Sequence, residues 1–336
     1  MTKRMSDKAE AYAAAIILSL HAAGIHQHVV VSKDISRINE LKRANIHILS
    51  RVTFVSFRLW QRLMLRWLIW RTKADIIQCW TRQDVAIVPP CKTVVIGWFS
   101  SYYDPKYFGR CDYLIGATKG LMAHMMRRGV IDKRSHFIPQ FSTLTALPPI
   151  NRGLLSTPKD ARVLLMLSPL HPEKRPNTLL QALSHLSEAY IWFAGEGPLR
   201  QELENLARSL DLLERVRFLG HRSDPSALLR AADVCVLPSR HELFGTVILE
   251  AWSTGTPLVA CRSLCAEAYI EDGVNGLLVP IDDPHKLAAA LRRVLSDENL
   301  RRRLIAQGYA TYIKNYTREA ITQQWIQLYQ HLKATP

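Results

Sequence analysis

The chain has 336 residues, of which 48% are hydrophobic and 22% charged; this composition predicts a globular protein and excludes a disordered one. The length allows two α/β domains of ordinary size. The formal net charge of +15 favours an anionic partner, such as nucleotide phosphates, anionic lipid or nucleic acid. Because the basic residues are dispersed and no recognised nucleic-acid module is present, we expect no nucleic acid partner.

The six cysteines include no C-x-x-C pair, and most of them lie in apolar runs. This pattern favours core thiols in a reducing cytosol over a zinc site or a disulfide framework. The polar N-terminal residues lack the apolar core of a signal peptide, and no run of about 18 uncharged apolar residues predicts a transmembrane helix. We therefore expect a cytoplasmic protein. The cysteines are Cys79, Cys91, Cys111, Cys235, Cys261 and Cys265.

The first predicted element is a helix over residues 7–23, which a strand follows at residues 28–32. A doubly wound domain normally begins with a buried strand and a glycine turn that leads into its first helix. We therefore expect that the first strand is absent, or that the recorded start of the chain lies downstream of the true one.

Residues 51–71 combine arginines at four-residue spacing with tryptophans and leucines, which predicts a helix. Two interpretations are open. The helix would lie on an anionic leaflet, with arginines at the headgroups and tryptophans at the boundary, or it would pack on the first sheet with its arginines in water. The net charge favours peripheral association with the inner face of the cytoplasmic membrane. The residues concerned are Arg58, Arg62, Arg66, Trp60, Trp67 and Trp70.

Short apolar runs alternate with helical segments along the whole chain, and several runs, such as VLLML, are continuous. Continuous apolar runs are typical of strands buried on both faces, and strand–helix alternation predicts parallel sheets. Three prolines interrupt the pattern at residues 142–159, which predicts a linker between domains. We expect domains at residues 1–150 and 151–316, and a final helix in residues 317–336. The expected strands are residues 28–32, 45–50, 76–79, 93–96, 113–116, 163–167, 190–194, 216–220, 234–237, 257–261 and 276–279.

The most informative stretch is residues 237–256, LPSRHELFGTVILEAWSTGT. A strand ends at Leu237, and a helix is expected to start near Phe244. The N-terminus of that helix would present backbone N–H groups and partial positive charge to an anion. Gly245 allows a ligand to approach the backbone closely, and a carboxylate further along can accept hydrogen bonds from ribose hydroxyls.

This stretch resembles the E-x7-E motif of the retaining group 1 glycosyltransferases (the family 4-like group), whose usual form is P-S-x-x-E-x-F-G-x-x-x-x-E-A. The resemblance implies that Glu242 contacts the donor sugar near the reacting carbon and that Glu250 binds the ribose. It also implies that the backbone around Gly245, Thr246 and Val247 holds the diphosphate. The residues that match the motif are Pro238, Ser239, Glu242, Phe244, Gly245, Glu250 and Ala251.

Further segments resemble the same family in the expected order. In LSPLHPEKR, at residues 167–175, Lys174 and Glu173 match the family's phosphate loop, whereas Pro169 stands in place of an arginine. Arg175, or Arg240 together with His241, would compensate for that loss. The segments at 194–198, 220–233 and 273–282 match the glycine turn, the base-binding segment and the turn after the motif helix. The additional donor-site residues that they imply are Gly195, Gly197 and His221.

In the N-terminal half, residues 97–108, GWFSSYYDPKYF, resemble a subgroup of the family that acts on lipopolysaccharide cores and related envelope glycans. Aromatic rings on this loop would stack on an acceptor sugar, and charged side chains would hydrogen-bond its hydroxyls. No histidine directly precedes this run, and His171 is only a weak candidate for the histidine that relatives place near the phosphates. The implied acceptor residues are Tyr102, Tyr103, Asp104 and Lys106.

The resemblance implies a GT-B fold: two Rossmann-like, doubly wound parallel-sheet α/β domains that face a cleft, with the C-terminal helix crossing back to the N-terminal domain. It implies transfer of a hexose-type sugar, with retention, from a nucleotide diphosphate donor to a glycan or glycolipid acceptor, without metal or cofactor. Lys174 and Glu242 would be the catalytic residues. A second interpretation is a catalytically impaired subunit that binds sugar nucleotides or glycans, which Pro169 and the missing first strand favour.

Overall fold

The computed structural model describes residues 7–31, 38–44, 46–50 and 58–334, and the statements below concern these residues. They divide into two compact units. The first combines the described parts of Met1–Thr143 and Arg318–Pro336, and the second is Leu144–Thr317. Residues 51–57, the first third of the segment predicted as one arginine- and tryptophan-rich helix, lie outside the described residues.

The first unit alternates helices with short strands. Its helices in the N-terminal part of the chain are α1 (Asp7–Ala22), α2 (Ile38–Arg43), α3 (Arg58–Thr72), α4 (Arg82–Ile87) and α5 (Lys119–Arg127). Its strands are β1 (His28–Val31), β2 (His47–Ser50), β3 (Ile76–Cys79), β4 (Val94–Phe99), β5 (Tyr113–Gly116) and β6 (Ser135–Phe137).

The strands of the first unit form two separate parallel sheets, with the orders β1-β2 and β3-β4-β5-β6. The apolar runs predicted every one of these strands except β6, which has only three residues and therefore shows no readable periodicity. A cavity of about 1230 Å³ separates the two sheets and is lined by residues of both β1 and β3. Among the described residues, α1 precedes β1 and no strand comes before α1.

An aromatic cluster forms part of the core of the first unit and includes the end of the chain. Helix α13, at Arg318–Ala334, packs on α1. The Trp325 Nε1–H donates to the Tyr12 hydroxyl at 3.2 Å, and that hydroxyl donates to the Pro139 carbonyl at 3.3 Å. The Tyr12 ring stacks on Trp98 with the ring centroids 5.4 Å apart. The apolar side of α13, with Trp325, Leu328 and Leu332, is thereby buried.

The second unit has six parallel strands in the order β12-β11-β10-β7-β8-β9. Its strands are β7 (Arg162–Leu167), β8 (Ala189–Ala194), β9 (Val216–Gly220), β10 (Val234–Leu237), β11 (Leu258–Cys261) and β12 (Leu277–Val279). Its helices are α6 (Pro176–Leu183), α7 (Arg200–Ser209), α8 (Pro225–Ala231), α9 (Thr246–Thr254), α10 (Leu264–Tyr269), α11 (Pro284–Ser296) and α12 (Glu298–Asn315).

This strand order places a topological switch point between β7 and β10, which pair directly through Leu164 and Val234. The chain moves in one direction from β7 to β8 and β9, and in the other from β10 to β11 and β12. Open α/β sheets bind ligands outside the carboxyl ends of the strands at such a point. The loops that follow β7 and β10 therefore define the place in this unit to examine for a ligand site.

The proline-rich segment predicted as a linker packs on the second unit from Leu144 onward. Leu144, Ile150 and Leu155 pack against the core that contains Trp192 and Trp252. The Arg152 guanidinium donates to the Ala231 carbonyl and to Asp233 Oδ2, at 2.7 and 2.9 Å from Nη2. The compact units therefore divide between Thr143 and Leu144, because apolar side chains beyond this point have a core to bury against.

Candidate active site

The loops after β7 and β10 are joined through their backbones. The Arg240 N–H donates to the Glu173 carbonyl at 3.0 Å, and the His241 N–H donates to the same oxygen at 3.4 Å. Because β7 and β10 are neighbouring parallel strands, their carboxyl ends lie at one edge of the sheet. The two segments that the sequence singled out separately thus form a single site.

Lys174 and Glu242 form an ion pair in this site. The Lys174 ammonium donates to Glu242 Oε2 at 2.7 Å and to the His241 carbonyl at 3.2 Å. The side chains are only 18% and 16% exposed, so that their interaction is screened less than that of a surface pair. The Ser239 hydroxyl lies 3.5 Å from the same carboxylate oxygen. The structure thus brings together the two residues predicted to be catalytic.

Helix α9 begins four residues after Glu242 in the sequence. The helix begins at Thr246, two residues after the predicted start, because Gly245 adopts a left-handed conformation with φ of 61°. The N-cap residue Gly245 has no side chain that could cap the first turn, and the first N–H groups of a helix have no intrahelical acceptor. A Cβ at Gly245 would lie 3.0 Å from Cys265 Sγ. Any other residue at position 245 would therefore strain the backbone. The helix that starts after it has an N-terminus suited to binding an anion.

The remaining predicted residues of α9 and its entry loop are mostly buried. Glu250, on the second turn of α9, is 6% exposed, although its side chain is a carboxyl group, and Val247 is equally buried. Phe244 is 9% exposed, and Thr246 is half-buried. A buried carboxylate needs partners that offset its desolvation, which argues against the interpretation of Glu250 as a solvated surface residue.

Gly195 and Gly197 hold the loop after β7 in place. A Cβ at Gly195 would lie 2.0 Å from the Ser168 carbonyl oxygen, and one at Gly197 would lie 2.4 Å from that of Leu170. The Leu170 N–H donates to the Glu196 carbonyl at 3.0 Å. Two backbone segments thus approach more closely than any side chain permits. The glycines allow the loop that carries Lys174 to pack closely on this turn.

His221, another predicted donor-site residue, lies exposed after β9.

A cluster of two arginines and one aspartate borders the site. The sequence analysis had not identified the aspartate, Asp282, as a site residue. Asp282, at the end of the segment after β12, accepts from Arg175 Nη2 at 2.6 Å and also accepts from Arg175 Nε and from Arg240. These guanidinium groups lower the pKa of Asp282 to about 2. The two arginines that were expected to compensate for Pro169 therefore already share one carboxylate. Asp282 is the last residue of GVNGLLVPID, the segment that resembles the family, and this position in the sequence could have identified it as a site residue.

The four predicted acceptor residues lie together on the loop after β4 in the first unit. Asp104 accepts from the Lys106 N–H at 3.0 Å and pairs with the Lys106 ammonium at 3.0 Å; these contacts lower the pKa of Asp104. Tyr102 is 43% exposed. The Tyr103 ring packs edge-on against Phe99, with centroids 6.3 Å apart.

The same loop contacts a histidine that the sequence interpretation missed. His124 Nε2 lies 2.8 Å from the Tyr103 carbonyl, and the His124 ring meets Tyr102 edge-on at 5.2 Å. The resemblance directed attention to the residues directly before the tyrosine run, whereas His124 lies on α5, which follows this run. His171, the weak candidate, lies exposed on the loop after β7.

Within the described ranges, no group of three or more histidine, cysteine, aspartate and glutamate side chains could hold a metal ion. The same part of the chain contains no helix long and apolar enough to span a bilayer.

The two parallel-sheet α/β units, one with the candidate site at its switch point, have the architecture of the GT-B glycosyltransferases. A solved structure of Anabaena HepE in complex with UDP and glucose has this fold, with a TM-score of 0.78, 20% identity and 96% coverage of each chain. The model of the family described as "Glycosyl transferases group 1" matches residues 150–311.

Two curated relatives come from Rhizobium meliloti (strain 1021). The lipopolysaccharide core biosynthesis glycosyltransferase LpsE is 34% identical over 260 residues, which cover 77% of this chain and 76% of that protein. LpsD, which carries the same description, is 29% identical over 331 residues, covering 96% and 94%. This chain belongs to the group 1 glycosyltransferase family, and its activity is that of a glycosyltransferase.

Proposed function

We propose that this protein is a retaining transferase that moves a hexose from a nucleotide diphosphate donor to a glycan or glycolipid acceptor in lipopolysaccharide core or related envelope polysaccharide synthesis. The reaction would take place in the cytoplasm. The observation that carries the proposal is the largely buried Lys174–Glu242 pair at the switch point of the second unit. The names of the two Rhizobium meliloti relatives support the class of acceptor.

The donor would bind along the loops after β7 and β10. The diphosphate would lie at the N-terminus of α9, where backbone N–H groups and the helix dipole favour an anion. The Lys174 ammonium would neutralise its charge, and the buried Glu250 would accept hydrogen bonds from the ribose. The Anabaena structure contains UDP and glucose, which supports a nucleotide sugar as the class of donor.

In the proposed reaction, the bond between the anomeric carbon and the leaving phosphate oxygen breaks, and a bond from an acceptor hydroxyl oxygen forms on the same face of the sugar. The departing phosphate oxygen takes the acceptor proton, so that no side-chain nucleophile is required. Negative charge develops on the diphosphate, where Lys174 and the α9 N-terminus would stabilise it. Glu242 would stabilise the positive charge that develops on the sugar ring.

The test is a donor screen with UDP-, GDP- and ADP-hexoses by isothermal titration and by turnover with a lipopolysaccharide core acceptor, followed by NMR of the product anomer. We expect Glu250→Ala to weaken donor binding about 10- to 100-fold, because hydrogen bonds to a charged group contribute about 1.5–3 kcal/mol. Lys159→Ala, at an exposed position of the same unit, is the control. Wild-type donor affinity in the Glu250 variant, or a product with inverted configuration, would contradict the proposal.

A second function, that of a sugar-nucleotide or glycan binding subunit without turnover, is favoured by one observation. Pro169 replaces the phosphate-binding arginine, and both Arg175 and Arg240 are engaged by Asp282. The same assays separate the two functions. Donor binding without transfer to any core acceptor, in a protein whose Glu250→Ala variant loses binding, would support the binding subunit.

A further inference from the structure

Helix α3 turns an apolar stripe toward solvent. Its exposed large side chains recur at helical spacing, so that they share one face. A contiguous exposed stripe of this kind marks an interaction surface, in contrast to single scattered apolar residues. The residues of the stripe and their exposed fractions are Trp60 (63%), Leu63 (51%), Met64 (38%), Trp67 (53%) and Trp70 (75%).

The opposite face of α3 is the one that packs on the first unit. Leu68 is 8% exposed, and Arg62 Nη2 donates to the Ala86 carbonyl of α4 at 3.0 Å. Of the two interpretations of this segment, packing on the first unit therefore holds for the face with Leu68 and Arg62, whereas Arg66 remains exposed. Because the packed face already has partners, the stripe is left for a partner outside the unit.

The charge around the stripe indicates the chemistry of that partner. Helix α3 contains no acidic residue, and Arg66 and Arg71 are exposed beside the stripe. The Arg71 guanidinium lies 5.5 Å from the centre of the Trp67 ring. Tryptophan and arginine together suit the boundary between anionic headgroups and acyl chains, and the whole chain carries a net charge of +15.

We propose that the α3 stripe docks on the surface of a membrane that contains anionic lipid. The indole rings enter the boundary between headgroups and acyl chains, while Arg66 and Arg71 contact lipid phosphates. This docking does not depend on the identity of the donor or the acceptor, so that it can fail while the proposed function holds.

Cosedimentation with vesicles tests the docking. The probes are vesicles of phosphatidylcholine alone and of phosphatidylcholine with phosphatidylglycerol at about three to one. We expect binding to the anionic vesicles, a blue shift of tryptophan fluorescence, and loss of binding by at least about tenfold in the Trp60→Ser, Trp67→Ser, Trp70→Ser triple variant. The matched control is Leu154→Ser, Leu264→Ser, which changes two residues of the second unit that are 76% and 71% exposed.

Two results would overturn the docking. One is equal vesicle binding by the triple variant and the wild type, with thermal unfolding showing that both are folded. The other is no vesicle binding, with an oligomer in sedimentation velocity that the triple variant loses; this would assign the stripe to a second copy of the chain.

Discussion

At the scale of single residues, the site depends on charges that are paired across loops. Lys174 and Glu242 are 68 positions apart and meet at 2.7 Å, and Arg175 and Asp282 are 107 positions apart. Each pair lies between segments that the sequence recognised separately. A pair that is largely withdrawn from water resists screening, and removal of one partner leaves a charge without its counterion.

The first residue-scale prediction concerns Lys174. We expect Lys174→Ala to lower kcat by about 100- to 1000-fold, because it removes a cation from the place where the leaving diphosphate gains charge. The measurement is steady-state turnover with the donor identified in the screen. Lys133→Ala, an exposed lysine of the first unit, should retain the wild-type rate. An unchanged kcat in the Lys174 variant would remove this residue from the catalytic machinery.

The second residue-scale prediction concerns pH. The two arginines lower the folded-state pKa of Asp282 to about 2 from the ordinary 3.8, so that the ionised carboxylate stabilises the fold above pH 4. That contribution is lost as the pH falls from about 4 to about 2. After allowance for solvent screening, we expect Asp282→Asn to cost on the order of 1 kcal/mol at pH 7.

Urea unfolding of wild type and Asp282→Asn between pH 7 and pH 3 checks this sign. The difference in the free energy of unfolding should shrink as the pH falls. A difference that grows toward pH 3 would contradict the assignment, and Asp160→Asn, at an exposed position, serves as the control.

At the scale of elements, close backbone packing decides where the functional loops lie. The glycine turn after β8 and the loop after β7 are in backbone contact, and the Leu199 N–H donates to the Leu170 carbonyl at 3.1 Å. This contact fixes the loop that carries Lys174 before any ligand binds. The sequence pattern suggested a glycine turn, and the structure shows that this turn is in contact with the backbone of the loop that carries Lys174.

The element-scale prediction is that Gly197→Ala impairs both stability and turnover. Its Cβ would lie 2.4 Å from the Leu170 oxygen, which belongs to backbone and cannot move aside alone. We expect a loss of about 1–3 kcal/mol of stability and at least about tenfold in kcat, because the Lys174 loop must shift. Thermal unfolding and turnover measure the two effects.

Gly153→Ala is the matched control in the same unit, since its Cβ would meet only the Asn151 side chain, at 3.2 Å. Normal turnover in a folded Gly197→Ala protein would show that this turn does not position the site.

At the scale of the whole molecule, the end of the chain completes the first unit. Trp325 is fully buried and reaches Tyr12 across 313 positions, so that the first unit is built from both ends of the sequence. We therefore expect folding of this unit to require the last helix. The second unit lies between the two parts in the sequence.

The prediction at this scale is that Trp325→Ala destabilises the first unit selectively. Truncation of a buried tryptophan costs about 3–5 kcal/mol, and we expect faster amide exchange in β3–β6 than in the wild type. Exchange in β7–β12 should change little, because the core of the second unit has its own tryptophans, Trp192 and Trp252. Trp325→Phe should have a smaller effect; equal acceleration in both units would contradict this division of the cores.

The sequence by itself determined the fold class, nearly all of the strands and the position of the donor motif. These features are local, since periodicity, glycine turns and motif spacing can be read from neighbouring residues. It could not determine the short strand β6, the helix start at Thr246, or the contact of His124 with the tyrosine loop. It also left open which face of α3 is exposed.

Only the tertiary structure decided these points, because they depend on which distant segments become neighbours. The strand order brings the loops after β7 and β10 together, and this creates the Lys174–Glu242 pair and the shared contact of Arg175 and Arg240 with Asp282. The packing of α3 against α4 leaves its tryptophans in water. Such contacts are set by the free energy of burying and pairing groups far apart in the chain, which no local pattern encodes.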